Sequence, residues 1–533
     1  MKTRWLICAL LGLLLLRPAA TAESKAPPPA PTGLRALSRH LRIDLLWDGN
    51  ASQHYQTQRA AKPDGPFETL PTKTPVVPIH SDFLGTDTGE YFYRVRSYRR
   101  PARRKREKPV YSAWSKVIEG RPGKTDADGL LTEIQEASVR YFYECGHHVS
   151  GLAFEGIQRG PDGCASGATG MGLFTLGVGI ERGFVTRKDG AVRVLKILRF
   201  LQDKTERFHG AFSHWINGST GKAVPFGKDD DGADLVETAF LAQGFLFVRE
   251  YFTGEDAVET EIRKRADTLW REIEWTWFQK EEPRGALLMW HWSPNHGFKK
   301  NMAIRGFNEC QMVYLLALAS PTHQVDPKFY WNGWEHNRYA RDRTEFGIPL
   351  KLHRGLGPPL FFTHYSYLGF DPKTISYQGR TYFDHFRDFA RVQIKYAESK
   401  RDTFVGYGPL WGLTASYNPE GYKAHAPGPR DDGTIAPTAA LASMPYVPEE
   451  SRAFMTELYE KHGKELWGPC GFYDAFNLTQ KWVAKGYLGI DVGPIAPMIE
   501  NYRTGLCWKT FMKAPEIQPV VERLKQRPKE ANP

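Results

Sequence analysis

The chain reads as mainly α: an (α/α)6 toroid preceded by a small all-β sandwich. Three features predict this. Apolar residues recur at helical spacing after Asp126, whereas the stretch before it alternates apolar and polar residues with a period of two. The helical segments also divide into two kinds. Residues 191–201 and 454–462 carry charge on one side, while 167–180, 238–248, 311–319, 435–444 and 493–498 are apolar nearly all round and rich in Gly and Ala. Segments of the second kind must be enclosed by other helices. Outer and inner helices alternating over so long a stretch describe a double ring, and the small residues permit close packing about its axis. Finally, the segments between helices are rich in Gly, Pro, Trp and His, the mark of long structured loops.

Taken in order, Lys2 and Arg4 precede the apolar stretch 5–16, and Ala20-Thr21-Ala22 follows. This pattern predicts a secretory signal peptide over 1–22 and an exported, periplasmic or extracellular protein. No later run approaches the roughly 20 apolar residues of a spanning helix, so no integral membrane segment is expected. Residues 23–31 form a proline-rich linker. Strands follow over 32–121: Leu41, Ile43, Leu45 and Trp47 alternate with other residues, as do Tyr91, Tyr93 and Val95, and Asp48-Gly49-Asn50 and Pro63-Asp64-Gly65-Pro66 supply turns. The order of Leu34, Trp47, Tyr55, Gly65-Pro66-Phe67, Tyr91-x-Tyr93-x-Val95 and Ser112-Ala113-Trp114-Ser115 resembles a fibronectin type III domain, which implies a spacer or docking module without catalysis. The helical domain is expected over 126–515, with helices at 131–143, 191–201, 235–251, 257–277, 311–319, 382–397 and 454–462, and a polar tail over 516–533.

Of the residues, 41% are hydrophobic and 13% aromatic, enough for a large core with aromatic surface to spare. The net charge of +11 is concentrated in the leader and in 94–108, which holds nine Lys or Arg against the single acid Glu107. That run reads as a solvated loop or a patch for an anionic polysaccharide or lipid head group, and no nucleic-acid partner is called for. Beyond Cys8 there are five cysteines, Cys145, Cys164, Cys310, Cys470 and Cys507, which make no disulfide framework. A Cys145–Cys164 pair and buried thiols remain alternatives. Their spacing suggests no metal site, and no cofactor is called for.

The candidate site lies in the acids. Asp234 and Glu237 open the 235–251 helix, Glu309 opens 311–319, Asp431 and Asp432 precede 435–444, and Asp491 precedes 493–498. Inner helices of a toroid run parallel, so these carboxylates should meet at one mouth of the ring. Asp234 with Glu237 also fits a capping box, in which each side chain satisfies an end-of-helix N–H. Capping explains less well why Asp230 and Asp231 crowd beside them, because adjacent like charges raise one pKa, as a general acid requires. Glu309, between Arg305-Gly306-Phe307-Asn308 and a buried helix, should be desolvated and is the preferred proton donor. Aromatics crowd the same loops: Trp215, Trp290 and Trp292 flanking His291, Tyr365 beside His364, Trp411 and Tyr473. Flat rings beside polar groups suit a sugar.

Several of these strings resemble the glucoamylase-like proteins of glycoside hydrolase family 144, the bacterial β-1,2-glucanases. They include Asp234-Leu235-Val236-Glu237-Thr238, Arg305-Gly306-Phe307-Asn308-Glu309-Cys310, Phe362-Thr363-His364-Tyr365-Ser366, Trp411-Gly412-Leu413-Thr414-Ala415-Ser416 and Ile499-Glu500-Asn501-Tyr502-Arg503-Thr504-Gly505. The resemblance spans residues 130–513. It implies an (α/α)6 toroid hydrolysing β-1,2-glucan with inversion, Glu309 as the acid, and Asp230, Asp234, Glu237 and Asp491 as further essential acids. Asp491 is the first choice of base, with Asp230, Asp234 and Glu237 as alternatives or as contacts of the sugar hydroxyls. Arg305, Asn308, His364 and Asp432 join the aromatics and His291 as expected substrate contacts. The expected partner is a β-glucan acted on by a monomer. Two rivals are a polysaccharide lyase using Tyr365, His364 and Arg305, and a non-catalytic glycan-binding protein. A same-fold glycosidase of shifted β-glucoside specificity is a third reading.

Overall fold

The computed structural model describes residues 26–49, 54–71, 77–100, 108–282, 285–335, 340–353 and 355–526. The expected signal peptide lies outside the described residues, as do parts of the linker, the basic run and the C-terminal tail.

Eight strands come first: β1 (Thr32–Arg39), β2 (Arg42–Asp48), β3 (His54–Ala60), β4 (Glu68–Thr69), β5 (Ile79–Phe83), β6 (Tyr91–Arg99), β7 (Val110–Tyr111) and β8 (Ile118–Gly120). They form two antiparallel sheets, one in the order β1-β2-β5 and the other β4-β3-β6-β7, with β8 also pairing β6. The alternation in β2 sends Ile43, Leu45 and Trp47 into the sandwich core against Tyr55, Tyr93 and Val95. Its opposite face is buried as well, because Leu46 joins the core of the helical domain.

The helices are α1 (Ala127–Tyr143), α2 (Ser166–Glu181), α3 (Arg187–Asp203), α4 (Leu235–Tyr251), α5 (Ala257–Arg271), α6 (Gln311–Ala319), α7 (Tyr382–Ser399), α8 (Pro437–Leu441), α9 (Pro448–Leu466), α10 (Gly489–Val492), α11 (Ile495–Arg503), α12 (Leu506–Phe511) and α13 (Ile517–Lys525). Inner helices α2, α4, α6, α8 and α11 line the ring, with α11 returning to α2, while α1, α3, α5, α7 and α9 stand outside. Between α6 and α8 the inner wall is made by two 3-10 turns, Leu360–Thr363 and Tyr365–Tyr367. Gln243 of α4 donates to the Tyr365 carbonyl at 2.8 Å and fastens these turns. The Gly/Ala composition of the inner helices has a local purpose: a Cβ on Gly170 would lie 2.1 Å from the Phe240 carbonyl, so α2 and α4 cross at this distance only because glycine is there.

Three expectations need correction, and of the two alternatives for the cysteines the buried thiols hold. Helix α5 stops at Arg271 and a 3-10 turn, Trp275–Phe278, follows, the backbone being drawn off by a bond from Glu274 N to His209 O of 3.0 Å. The 435–444 segment is helical only over Pro437–Leu441, because Ile435 bridges to Phe476 and Pro437 begins the helix. The 493–498 segment is divided at Gly493-Pro494 between α10 and α11, so Asp491 lies within its own short helix. Cys145 faces Cys470, with the sulfurs 3.7 Å apart, and the five described cysteines are free and buried.

The sandwich is joined to the ring through charge. Asp44, fully buried, accepts from Arg42 Nε at 3.0 Å and from Arg140 Nη1 of α1 at 2.7 Å. Arg42 also reaches Glu133 at 2.7 Å and lies 4.2 Å from the ring centroid of Trp467.

Candidate active site

The N-terminal ends of α2, α4 and α6 and the first turn of α10 bring acids from distant parts of the chain to one end of the ring. Asp234 caps α4: its Oδ1 accepts from the N–H groups of Val236 and Glu237, both at 3.0 Å. The other half of the expected capping box does not form. Glu237 Oε2 instead accepts from Gly167 N at 2.8 Å, in the first turn of α2, while Asp234 N donates to Phe212 O. One carboxylate therefore fastens the starts of two inner helices. His214 lies 3.1 Å from Asp234 Oδ2. Burial works against its charge, yet the carboxylates of Glu237 and Asp234 raise it to about 10, so it stays protonated at neutral pH. Burial, with Asp234 and Glu155 adding their charges, pushes Glu237 up to about 7 although His214 opposes it.

Glu309 precedes α6, held by two flanking bonds. Asn308 Oδ1 accepts from Cys310 N at 2.9 Å, and the Ser366 hydroxyl donates to the Glu309 carbonyl. Burial pushes the Glu309 carboxyl up to about 7, with Asp234 adding to the effect. That is the state a proton donor needs. Asp491 is 2% exposed and accepts from the Tyr365 hydroxyl at 2.7 Å. Burial raises it well above the ordinary carboxylate range, and Asp474, within hydrogen-bonding reach, raises it further.

Asp230 sits to one side. Its Oδ1 is 3.1 Å from His291 Nδ1 and its Oδ2 is 2.5 Å from Lys300 Nζ; these two hold it below its usual value against burial. Asp231 is bound by Ser293 and Asn295, so the acidic loop is stitched to the 293–300 loop. A short strand pair explains the alignment, since Asp234 is registered opposite His291 and Ala233 opposite Trp292. Neighbouring residues on a strand point to opposite faces, and Trp292 accordingly turns to His209, 4.9 Å away, rather than to the acids.

The remaining expected contacts separate. Tyr365 reaches Asp491, Trp215 is half-buried with its ring 4.7 Å from the exposed Phe226, and Trp290 stacks on His291 at 5.8 Å. Arg305 and Asn308 are half-buried beside Glu309. By contrast His364, Trp411 and Tyr473, 1–2% exposed, are core residues. His364 bonds Ser443 at 3.0 Å and is held neutral by burial, Trp411 packs on Phe454, and Tyr473 on Tyr487. Irregular backbone does not imply a solvated side chain. Asp432 is taken up by the 415–424 hairpin, accepting from Asn418 at 3.0 Å with His425 at 3.2 Å.

Three groups at the mouth carry no periodic signal in the sequence: Glu155, Asp474 and Tyr422. Glu155, 3.3 Å from Arg159, adds its charge to Glu237, Asp474 and Asp491. Tyr422, on the hairpin Ala415–Asn418/Gly421–Ala424, is 57% exposed yet feels the charges of Asp491, Asp474, Glu155 and Glu309, which raise its phenol after burial, so the hairpin borders the acidic mouth.

A helical ring with carboxyls of unequal proton affinity at one mouth, bordered by aromatic rings, defines a glycoside hydrolase of the (α/α)6 class. The family described as "Glycoamylase: Putative glucoamylase" matches residues 301–515. The exo beta-1,2-glucooligosaccharide sophorohydrolase (non-reducing end) of Parabacteroides distasonis is 38% identical over 515 residues, covering 92% of this chain and 70% of that protein. The crystal structure of a beta-1,2-glucanase from the same organism superposes with a TM-score of 0.88 at 37% identity, covering 94% of this chain and 73% of the other. The endo-beta-1,2-glucanase of Chitinophaga pinensis, in complex with sophorotriose and glucose, has a TM-score of 0.72 and 41% identity, covering 75% of this chain and 98% of its own. The chain belongs to the β-1,2-glucanases of the glycoside hydrolase family 144 type.

Proposed function

We propose that the chain hydrolyses β-1,2-linked gluco-oligosaccharides by direct displacement, with Glu309 as general acid and Asp491 as general base. The observation that carries this reading is Glu309 itself, a carboxyl held protonated to about pH 7 at the rim where the other acids meet. In the reaction Glu309 gives its proton to the departing glycosidic oxygen while water, losing a proton to Asp491, attacks the anomeric carbon from the opposite face. Inversion requires the two carboxyls to stand roughly 6.5–9.5 Å apart when substrate is bound. His214, Asp230, Asp234 and Glu237 would orient sugar hydroxyls, and Tyr422 and Trp215 would offer apolar ring faces. The names of the three similar proteins support the substrate class. The match to the exo-acting relative over 92% of this chain, sandwich and ring together, supports release of sophorose from the non-reducing end. The sandwich over 32–121 would be a docked fibronectin-like spacer for the catalytic domain over 126–515. Export, cleavage after Ala22 and a monomeric state complete the reading; no helix among the described residues is long and apolar enough to cross a membrane.

The test is incubation with linear and cyclic β-1,2-glucans, with products sized by chromatography and their first-formed anomer read by NMR. Sophorose released as the α-anomer from linear chains alone is expected. A retained β-anomer, an unsaturated product absorbing in the ultraviolet, or binding without turnover would each overturn the mechanism. A ladder of product sizes would replace exo by endo action.

A further inference from the structure

Cys145 and Cys470 face each other with their sulfurs 3.7 Å apart, and nothing in the hydrolysis uses them. Both are buried, and they lie 325 positions apart in the chain. Cys145 follows the end of α1, the first outer helix, and its N–H donates to the Arg140 carbonyl at 3.0 Å. Cys470 lies in the turn between the paired strands Trp467–Gly468 and Gly471–Phe472, which follow α9, the last outer helix. Its N–H donates to the Tyr487 hydroxyl at 3.1 Å, and that hydroxyl donates to the Gly471 carbonyl at 3.1 Å. Two anchored backbones therefore bring the beginning and the end of the ring together at one pair of thiols. Among the described residues no other two cysteine sulfurs touch: Cys164 lies by Ser150, Cys310 by Glu309, and Cys507 is enclosed within α12. A disulfide holds its sulfurs about 2 Å apart, so a turn of both side chains has to close the gap. Glycines follow both cysteines, Gly146 and Gly471, and leave the backbone room to settle.

We propose that Cys145 and Cys470 are a modification site: they join as a disulfide when the chain folds in an oxidising compartment and stay thiols when it folds in a reducing one. The inference rests on the reading of the chain as exported. The oxidant is a protein disulfide of the thiol-oxidising class that serves such compartments. The thiolate of one cysteine attacks a sulfur of that carrier, forming a mixed disulfide and releasing the first carrier thiol. The second cysteine then attacks the mixed disulfide at the sulfur of the first, and the second carrier thiol leaves. The two cysteines give up two protons and two electrons, and the carrier disulfide takes up both. Burial sets the timing. Contact with Cys470 and burial hold the Cys145 thiol well above its usual range, so the folded protein presents little thiolate, and that sulfur is enclosed. The bond therefore forms before the end of α1 docks on the 467–472 hairpin, and the folded chain keeps whichever state it was given. Once made, it staples the first outer helix to the segment after the last and constrains the unfolded chain over nearly the whole ring.

Peptide mapping of the full chain, produced with its own leader, tests this. The exported protein, unfolded without reductant in the presence of an alkylating agent, should yield one cross-linked peptide pair containing Cys145 and Cys470, with alkyl groups on Cys164, Cys310 and Cys507. Alkylation of all five in a chain cleaved after Ala22 overturns the proposal, as does a cross-link through any other cysteine. A chain that keeps its leader inside the cell would overturn the export reading instead. Refolding the reduced protein in a mixture of oxidised and reduced glutathione then decides the pair: the same cross-link is expected, and its absence overturns the proposal wherever the chain resides. Urea unfolding separates a covalent role from mere packing. Wild-type protein refolded with the glutathione mixture should unfold at a higher urea concentration than wild type refolded with dithiothreitol, whereas Cys145→Ser and Cys470→Ser should each give one midpoint under both conditions. Equal midpoints for the two wild-type preparations, or the same difference in the variants, overturn it.

Discussion

Two groups of buried carboxyls, one at the seam between sandwich and ring and one at the mouth of the ring, are built on opposite principles. At the seam, Asp44 is enclosed by Arg42 and Arg140 and held well below the ordinary carboxylate range although burial opposes it. At the mouth of the ring, Glu237 and Glu309 are pushed up to about 7 and Asp474 to about 6, with burial the largest cause in each. Among the described residues no Lys or Arg ion-pairs with any of these three or with Asp491, and the nearest cation, His214, answers to Asp234 and Glu237. The seam neutralises charge by pairing it. The mouth leaves acids unmatched, so their protons are available for transfer. Burial alone does not mark a functional acid; burial without a cation does.

The largest expected effect tests the unmatched side. Glu309→Gln preserves shape and hydrogen bonding but has no proton to give. Its kcat should fall on the order of 10²–10⁴-fold, the usual worth of a general acid, with no fall in melting temperature. Wild-type-like rates in a folded Glu309→Gln protein would end its assignment as the acid.

The matched side should respond in the opposite sense. Asp44→Ala strands two buried guanidinium groups, and removing one partner of a buried pair costs about 3–5 kcal/mol. Urea unfolding should register that loss, while kcat of the folded fraction stays near wild type because no contact of Asp44 reaches the mouth. A stability change below about 1 kcal/mol would show that the seam does not hold the sandwich to the ring.

How far each side could be read from the chain follows from the same contrast. The apolar inner segments and the acids at their starts made the ring and the convergence of Asp234, Glu237, Glu309 and Asp491 legible, because helix periodicity carries both. Asp474 and Glu155 lie in irregular segments and Tyr422 in a strand of only four residues, where no periodicity reports direction. The inward packing of His364, Trp411 and Tyr473 is illegible for the same reason. The pairing of Asp44 with Arg140 is long-range and has no local signature. Asp234 was legible as a cap, but the destination of Glu237, the backbone of a different helix, depends on how closely α2 approaches α4.

The smallest effect concerns that last residue. Glu237 has an ordinary value of 4.5 and about 7 in the folded protein. Below pH 4.5 both folded and unfolded states hold the proton and the burial carries no electrostatic penalty. As pH rises from 4.5 to 7 the unfolded chain ionises first, so folding stability declines across that window, and above it the loss is complete. Glu237→Gln retains an oxygen for Gly167 N and cannot ionise, which should remove the decline. Because the variant also gives up the attraction of Glu237 for protonated His214, the difference at pH 8 should be about 1 kcal/mol in favour of the variant rather than the full value of the shift. Melting temperatures of the two proteins measured from pH 4 to 8 should therefore coincide at the acid end and separate toward neutrality. Parallel curves would place Glu237 with Asp44, as a carboxylate whose charge the fold already matches.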